Sequence, residues 1–210
     1  MGQGQYKGGR KRRQSPNMEE RELIERSLKG DIASFNSLVE AHQSLVYNTA
    51  LRLLGDPSAA EDATQDAFIS AFKALRSFRG GSFRAWLLRI ASNSCIDQLR
   101  KRRHHAASLD SLLEADSPPQ FADPAELPED YALRRELAQG LVGALHTLPV
   151  DQRLVVILSD IQGLSYEEIA QATNASLGTV KSRLSRARAH LRDYLLKNRE
   201  LLPDKFRQYK

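Results

Sequence analysis

A cluster of cationic and hydroxyl side chains near the C-terminus carries the clearest chemical signal in this sequence. Such groups at helical spacing can bind phosphates and the edges of bases. Apolar residues alternate with them four, three and four positions apart, which predicts a helix with one buried face. The apolar positions are Val180, Leu184, Ala187 and Leu191. The polar positions are Lys181, Ser182, Arg183, Ser185, Arg186 and Arg188.

The residues before this helix predict a shorter helix and a tight turn. Ser165 and Glu168 form a Ser-x-x-Glu capping box, so a helix should begin near Tyr166. The turn falls at residues 173–175, where Asn174 tolerates a left-handed backbone. Two helices in this order predict a helix-turn-helix, whose second helix enters the DNA major groove. The alternative is an ordinary surface helix with a solvated basic face.

Composition limits the classes of protein that this chain can represent. Lys and Arg number 31 against 26 acidic residues, and clustered positive charge attracts nucleic-acid phosphates. Cys95 is the single cysteine, which excludes an intramolecular disulfide and metal sites that need several cysteines. No apolar run approaches the roughly 18 residues of a membrane span, and the N-terminus lacks a secretion signal. We therefore expect a cytosolic protein without membrane insertion.

The hydrophobic patterns predict an all-α protein with two small helical domains. Asp31, Asp56 and Ser82 should cap helices in the first domain, and Asp151 should cap a helix in the second. The expected inward-facing residues include Phe68, Phe72, Trp86 and Ile161. The predicted segments are a disordered basic tail (1–17), a first domain (18–103), a flexible, acidic, proline-containing linker (104–128), a second domain (129–198) and a C-terminal tail (199–210).

Further motifs lie in the first domain, at residues 60–68 (AEDATQDAF), 77–80 (SFRG) and 86–93 (WLLRIASN). Together with residues 151–195 they resemble regions 2 and 4 of the sigma-70 family. Two such domains without regions 1 and 3 resemble the extracytoplasmic-function (ECF) group, over about residues 20–198. The resemblance implies a sigma factor that binds core RNA polymerase, recognises the −35 and −10 promoter elements, and promotes DNA melting and transcription initiation.

The resemblance also implies which residues contact the polymerase. Asp62, Gln65, Asp66 and Phe68 would bind the β′ coiled-coil, and region 4 would bind the β flap. Asp62 and Asp66 lie four positions apart on one helix face, where they can accept hydrogen bonds from arginines of a partner helix. Alternatively, these acids only stabilise the N-terminus of their helix. The resemblance further suggests an anti-sigma factor as a partner.

The residues matching the family's −10 readers are Ser77, Phe78, Arg89 and Asn93. An asparagine offers both a donor and an acceptor to a flipped base. Phe78 can equally be a core aromatic residue. The helix predicted to carry Arg89 and Asn93 has a basic C-terminal end. That end would contact duplex phosphates near the −10 element, at Arg100, Lys101 and Arg103. The loop after Gly80 is one residue shorter than the family form.

The residues matching the −35 reader lie on the predicted recognition helix. Lys181, Ser182, Ser185 and Arg186 would face bases or nearby phosphates, and Arg183 and Arg188 would clamp phosphates. Gly178 and Thr179 can offer backbone amides to a phosphate at the start of the helix.

No pattern in the sequence indicates catalysis, a cofactor, a metal site or a small-molecule substrate. There is no Ser-His-Asp order, phosphate-cradling glycine loop or histidine pair at metal-ligand spacing. The chain is therefore expected not to be an enzyme. Two other functions stay open: a DNA-binding regulator that does not bind polymerase, and an interaction module without DNA affinity.

Overall fold

The computed structural model describes residues 18–108 and 140–198, and every regular element in these two ranges is helical. This confirms the all-α prediction. The first range, here called the first half, contains α1 (Met18–Leu28), α2 (Ile32–Leu54), α3 (Pro57–Ala74), a short 3-10 turn (Leu75–Ser77) and α4 (Phe83–Ser108).

Residues 140–198, the second half, begin with α5 (described over 140–146) and end with the predicted helix-turn-helix. The elements after α5 are α6 (Val150–Val156), a π-helical turn (Ile157–Ile161), α7 (Tyr166–Thr173) and α8 (Leu177–Lys197). Because α4 continues to Ser108, residues 104–108 of the expected linker are helical. The rest of that linker, both predicted tails and residues 129–139 lie outside the described residues.

Of the caps predicted at Asp31, Asp56, Ser82 and Asp151, the first three are confirmed. The Asp31 carboxylate accepts hydrogen bonds from two backbone N–H groups at the start of α2. Asp56 caps α3 with Pro57 in the first turn, and Ser82 Oγ accepts from the Ala85 N–H at 3.1 Å. These bonds satisfy backbone donors that have no partner within the helix.

The predicted cap at Asp151 is wrong. The helix begins at Val150, two residues earlier than a cap at Asp151 would place it, and Pro149 occupies the cap position. The Pro149 carbonyl accepts from the N–H groups of Gln152 and Arg153 at 3.0 and 2.9 Å. Proline has no N–H and its fixed φ suits the start of a helix. Asp151 is therefore free of the capping role, and its carboxylate pairs with Arg183 at 2.8 Å.

Phe72 and Ile161 were expected in the core but are exposed, as is Leu141, which was expected on an apolar helix face. Phe72 is 47% exposed and Ile161 is 42% exposed. Helix α3 buries a row of alanines, so Phe72 lies at its edge, with its ring 5.0 Å from that of Phe35. Ile161 closes the π-helical turn, and the wider turn shifts it out of the 3.6-residue periodicity that predicted its burial.

A single hydrophobic cluster joins the two halves of the protein. It includes Ala50 and Leu53 from α2, Leu88 from α4 and Val155 and Ile169 from the second half. Helix α4 packs against α7, and α2 contacts both α6 and the π-helical turn. The structure therefore holds the helix-turn-helix against the first half. Within the described residues, no helix has the length and apolar character needed to cross a membrane.

Candidate nucleic-acid interface

The helix-turn-helix is built by local hydrogen bonds that its sequence encodes. The capping box is confirmed: the Ser165 N–H donates to Glu168 Oε2 at 2.8 Å, and the Glu168 N–H donates to Ser165 Oγ at 3.2 Å. Asn174 adopts the left-handed conformation at φ 49° that ends α7. Ser176, which sequence reasoning did not identify, caps α8 by accepting from the Thr179 N–H at 3.1 Å.

Helix α8 divides into a buried and an exposed face as its periodicity predicts. Val180, Leu184 and Ala187 are buried. The polar residues exposed on the other face are Lys181, Ser182, Ser185 and Arg186. At the helix start Gly178 is exposed, and the Thr179 hydroxyl is engaged with Ser176 Oγ at 2.9 Å.

Two arginines of α8 are paired with acids of the same half. Arg183 meets Asp151 at 2.8 Å and is less exposed than its neighbours on the basic face. Arg188 binds Asp160 with two hydrogen bonds, from Nε at 2.9 Å and from Nη2 at 2.6 Å. The hydrogen bonds to Asp160 raise the pKa of Arg188 above its ordinary value. Both pairs fix α8 against the preceding helices.

Phe78, one of the residues predicted to read the −10 element, belongs to an aromatic cluster. The Phe78 ring lies 5.6 Å from that of Phe83 and 5.4 Å from that of Trp86, and all three rings contact one another. Phe83 is buried, whereas Phe78 and Trp86 are half-buried, so each keeps part of its surface accessible. Phe78 is thus part of the core packing and of the local surface at once.

Three other predicted −10 residues are exposed, one before this cluster in the chain and two after it. Ser77 is exposed, and its hydroxyl donates to the Ala74 carbonyl at 2.6 Å. Arg89 and Asn93 are exposed, four positions apart on α4.

Farther along α4, Arg100 and Lys101 are exposed, and Arg100 pairs with Asp97 at 3.4 Å. The side chain of Arg103 lies outside the described residues. Asn93 and Arg100 share a cleft of about 290 Å³ with Arg183 of α8. The structure thus brings residues of both predicted readers to one cleft.

The predicted polymerase-binding strip lies on the exposed face of α3. Asp62, Gln65 and Asp66 are all exposed. Phe68 is half-buried and packs against the core of the first half. Ile69 is 53% exposed and follows Asp62 and Asp66 at helical spacing. The predicted polymerase-binding strip did not include Ile69, although its spacing from Asp62 and Asp66 places it on the same helix face.

Sequence reasoning also missed the buried polar residues that connect the halves. Gln162 Nε2 donates to Thr49 Oγ1 at 2.9 Å, and Gln162 Oε1 accepts from Arg84 Nη2 at 2.9 Å. Arg153 Nη1 donates to the Leu53 carbonyl at 2.8 Å. The partners are 78 to 113 positions apart in the chain, so no local pattern could have paired them.

His146 lies at the same junction, between Arg153 and the end of α2. Arg153 Nη1 is 2.9 Å from His146 Nδ1, which therefore serves as the acceptor. Burial and the charge of Arg153 lower the pKa of His146 to about 4. Gly55 permits this approach, because a Cβ there would lie 2.6 Å from His146 Cε1.

Among the described residues, no group of three or more His, Cys, Asp or Glu side chains could hold a metal ion.

Family models match both halves of the chain. Residues 38–105 match sigma-70 region 2, and residues 139–191 match sigma-70 region 4. The chain is 40% identical over 169 residues to the ECF RNA polymerase sigma factor SigE of Mycolicibacterium smegmatis, covering 79% of this chain and 63% of that relative. It is also 40% identical over 172 residues to the ECF RNA polymerase sigma-E factor of Escherichia coli K12, covering 79% and 88%. The chain thus spans less than two thirds of the first relative and most of the second.

Solved structures with a similar fold include two protein complexes. The sigma factor RpoE in complex with the anti-sigma factor NepR, from Bartonella quintana, has a TM-score of 0.65 at 30% identity, covering 77% of this chain and 96% of that one. CnrH in complex with the cytosolic domain of CnrY has a TM-score of 0.58 at 27% identity, covering 84% and 97%.

Proposed function

The chain belongs to the ECF group of RNA polymerase sigma factors, and from that premise we propose which of its surfaces bind promoter DNA and polymerase. The observation that carries the proposal is the exposed polar face of α8, opposite a buried apolar face. This is the arrangement of a recognition helix in the major groove.

The −35 element is read by Lys181, Ser182, Ser185 and Arg186. An arginine that donates two hydrogen bonds to guanine O6 and N7 contributes about 1–3 kcal/mol of discrimination. Gly178, at the positively polarised start of α8, receives a phosphate, whereas the neighbouring Thr179 N–H is already donated to Ser176 Oγ. Arg183 and Arg188 lie beside the DNA backbone. Their ion pairs with Asp151 and Asp160 fix the orientation of α8.

The −10 element is read at the start of α4. Asn93 and Arg89 present hydrogen-bonding groups to a base that has left the stack, and the half-buried Phe78 gives that base an aromatic surface. Ser77 lies at the edge of this surface. Arg100, Lys101 and Arg103 follow the phosphates of the adjoining duplex.

Core polymerase binds the exposed strip of α3. Asp62, Gln65 and Asp66 accept hydrogen bonds from arginines of the β′ coiled-coil, and Phe68 supports the strip from within the core. The second half contacts the β flap. Because the polymerase carries out nucleotide addition, this chain supplies no catalytic group, and it acts in the cytoplasm with the polymerase.

An anti-sigma factor holds the protein inactive by covering both halves. Support comes from the similar solved structures, in which RpoE is bound to the anti-sigma factor NepR and CnrH to the cytosolic domain of CnrY. Affinity purification of the full chain from its native cells should recover one inhibitor in stoichiometric amount. Recovery of polymerase alone, with a factor that is always active, would contradict this role.

Run-off transcription with core polymerase on genomic fragments tests the promoter-reading proposal. The chain should produce start sites that core polymerase alone does not use. Arg186→Ala should lower their use roughly 5- to 150-fold, the equivalent of one lost arginine–guanine contact. Arg192→Ala is the matched control, because Arg192 is an exposed arginine near the end of the same helix. Duplex binding without new transcripts would instead indicate a regulator that does not bind polymerase.

A further inference from the structure

We propose that Glu20 of α1 and His42 of α2 are positioning residues for the −10 reader. Through Phe83 they fix the orientation of Phe78, the ring that receives an unstacked base. Both act through another side chain rather than by contacting DNA. This inference rests on the proposed function of Phe78 at the −10 element, and it extends that function to two further helices.

Glu20 and His42 connect α1 to α2 by a hydrogen bond that is largely withdrawn from water. His42 Nε2 lies 2.9 Å from Glu20 Oε1, and because a carboxylate can only accept, the imidazole N–H is the donor. The side chains of His42 and Glu20 are 13% and 21% exposed. A hydrogen bond to a carboxylate is stronger than one between neutral groups, and shielding from water strengthens it further. The bond therefore fixes the orientation of the imidazole ring.

The imidazole ring of His42 packs in turn against the aromatic cluster. Its centroid lies 5.5 Å from that of Phe83, at an interplanar angle of 55°. Phe83 is 2% exposed, and its ring lies 5.6 Å from that of Phe78 at 89°, an edge-to-face contact. Aromatic pairs at such distances prefer defined relative angles. The contacts therefore form a continuous chain from Glu20 to Phe78.

The loop that carries Phe78 is loosely packed on its other side. Phe78, Gly80 and Gly81 border a cavity of about 330 Å³ whose other lining residues belong to α1. Gly80 and Gly81 have φ of 88° and 91°. A Cβ added to either glycine would meet no atom of the described residues within 4 Å beyond its chain neighbours. A loop in such open surroundings leaves the orientation of Phe78 to its aromatic contacts, so whatever holds Phe83 also orients Phe78.

A ring that is already oriented should capture an unstacked base more tightly. A ring that is free to turn must be ordered when a base stacks on it, and this ordering weakens binding. Loss of one aromatic contact behind the ring should therefore weaken base capture about 2- to 10-fold. Glu20 precedes residues 38–105, which match sigma-70 region 2. Its role is therefore assigned by its contacts and not by the matched range.

Fluorescence anisotropy with the reconstituted holoenzyme tests the positioning role. The probes are the single non-template strand of the −10 element and the −35 duplex, both taken from a promoter found by run-off transcription. Glu20→Ala and His42→Ala should each weaken binding of the −10 strand about 2- to 10-fold and leave the affinity for the −35 duplex unchanged. Glu20→Gln should retain most of the wild-type affinity, because its amide oxygen still accepts from His42.

Glu19→Ala and Gln43→Ala are the matched controls. Glu19 is exposed beside Glu20 in the first turn of α1, so its loss changes the charge at that helix end by the same amount. Gln43 is exposed beside His42 on α2. Both controls should bind the two probes as the wild type does. Urea unfolding followed by circular dichroism establishes that each variant is folded, and Glu20→Ala carries the test if His42→Ala does not fold.

A double-mutant cycle distinguishes positioning from a general structural role. Phe78→Leu keeps an apolar side chain but removes the ring. In this background Glu20→Ala should have no further effect on binding of the −10 strand. A bond that only ties α1 to α2 would instead weaken binding of both probes together, or weaken binding of the −10 strand equally in both backgrounds. Either result would overturn the positioning role.

The wild-type holoenzyme provides the separate test of the proposed function. If it binds the −10 strand no more tightly than a strand of scrambled sequence, −10 reading itself fails, and the positioning role fails with it. If it prefers the −10 strand, and folded Glu20→Ala and His42→Ala bind that strand as tightly as the wild type, only the positioning role is refuted.

Discussion

Replacing Arg153 should destabilise the protein more than replacing any exposed arginine. Its guanidinium donates to four backbone carbonyls and to His146 Nδ1, and 7% of the residue is exposed. In Arg153→Leu these acceptors lose their donors within an apolar surrounding. A buried acceptor without a partner costs about 1–3 kcal/mol.

The total should fall below the sum of those costs, because water can enter near the half-exposed His146 and the replacement leucine buries apolar surface. We therefore expect Arg153→Leu to lower the free energy of unfolding by about 3–5 kcal/mol, a large share of the usual 5–15 kcal/mol. Arg153→Lys should recover only part of the loss, since an ammonium group cannot reproduce the planar fork of donors.

Urea unfolding followed by circular dichroism measures this difference. Arg192→Leu is the control, because Arg192 is exposed and its partner is the adjacent Asp193. It should change the free energy of unfolding by less than about 0.5 kcal/mol. If Arg153→Leu lowers stability by less than about 1 kcal/mol, the hydrogen bonds at this junction do not hold the structure as argued.

Three further predictions follow from single side chains. The pKa of His146 falls from 6.5 to about 4 on folding, so the unfolded chain binds the proton first. The free energy of unfolding should therefore drop as pH falls from 6.5 towards 4. After solvent screening, the drop between pH 7 and 5 should be about 1 kcal/mol. His146→Gln should flatten this pH dependence in urea titrations. Asp160→Asn should weaken −35 duplex binding a few-fold in fluorescence anisotropy, because Arg188 loses its charged partner, whereas Asp193→Asn should not. Burial raises the pKa of Cys95 to about 12, so iodoacetamide should modify it in urea but not in the native protein at pH 7.

The elements that sequence reasoning predicted well are those whose determinants are local. The caps at Asp31, Asp56 and Ser82 and the capping box at Ser165 depend on hydrogen bonds over two or three residues. The division of α8 into two faces depends on periodicity alone. Short-range patterns of this kind act independently of the rest of the fold, which is why they can be read from the sequence.

The wrong predictions for Ile161 and Asp151 both concern places where the regular spacing of a helix begins or changes. Ile161 follows the helical spacing of α6, but a π-helical turn changes the phase there. Asp151 is a good capping residue by type, yet the helix already begins at Val150, with Pro149 in the cap position. The hydrogen bonds between the two halves lay beyond local reasoning altogether, because Gln162 and Thr49 are 113 positions apart. The functional roles assigned to the exposed residues remain predictions that the proposed assays test.

The polar contacts that orient α8 are distinct from those that join the two halves. Arg183 pairs with Asp151 and Arg188 with Asp160, so the contacts that orient α8 all lie within the second half. The bonds made by Gln162 and by Arg153 to Leu53 are the ones that cross to the first half. The orientation of α8 therefore depends on ion pairs within its own half. Since local ion pairs and a buried apolar face fix α8, the second half presents its recognition helix already shaped to bind DNA.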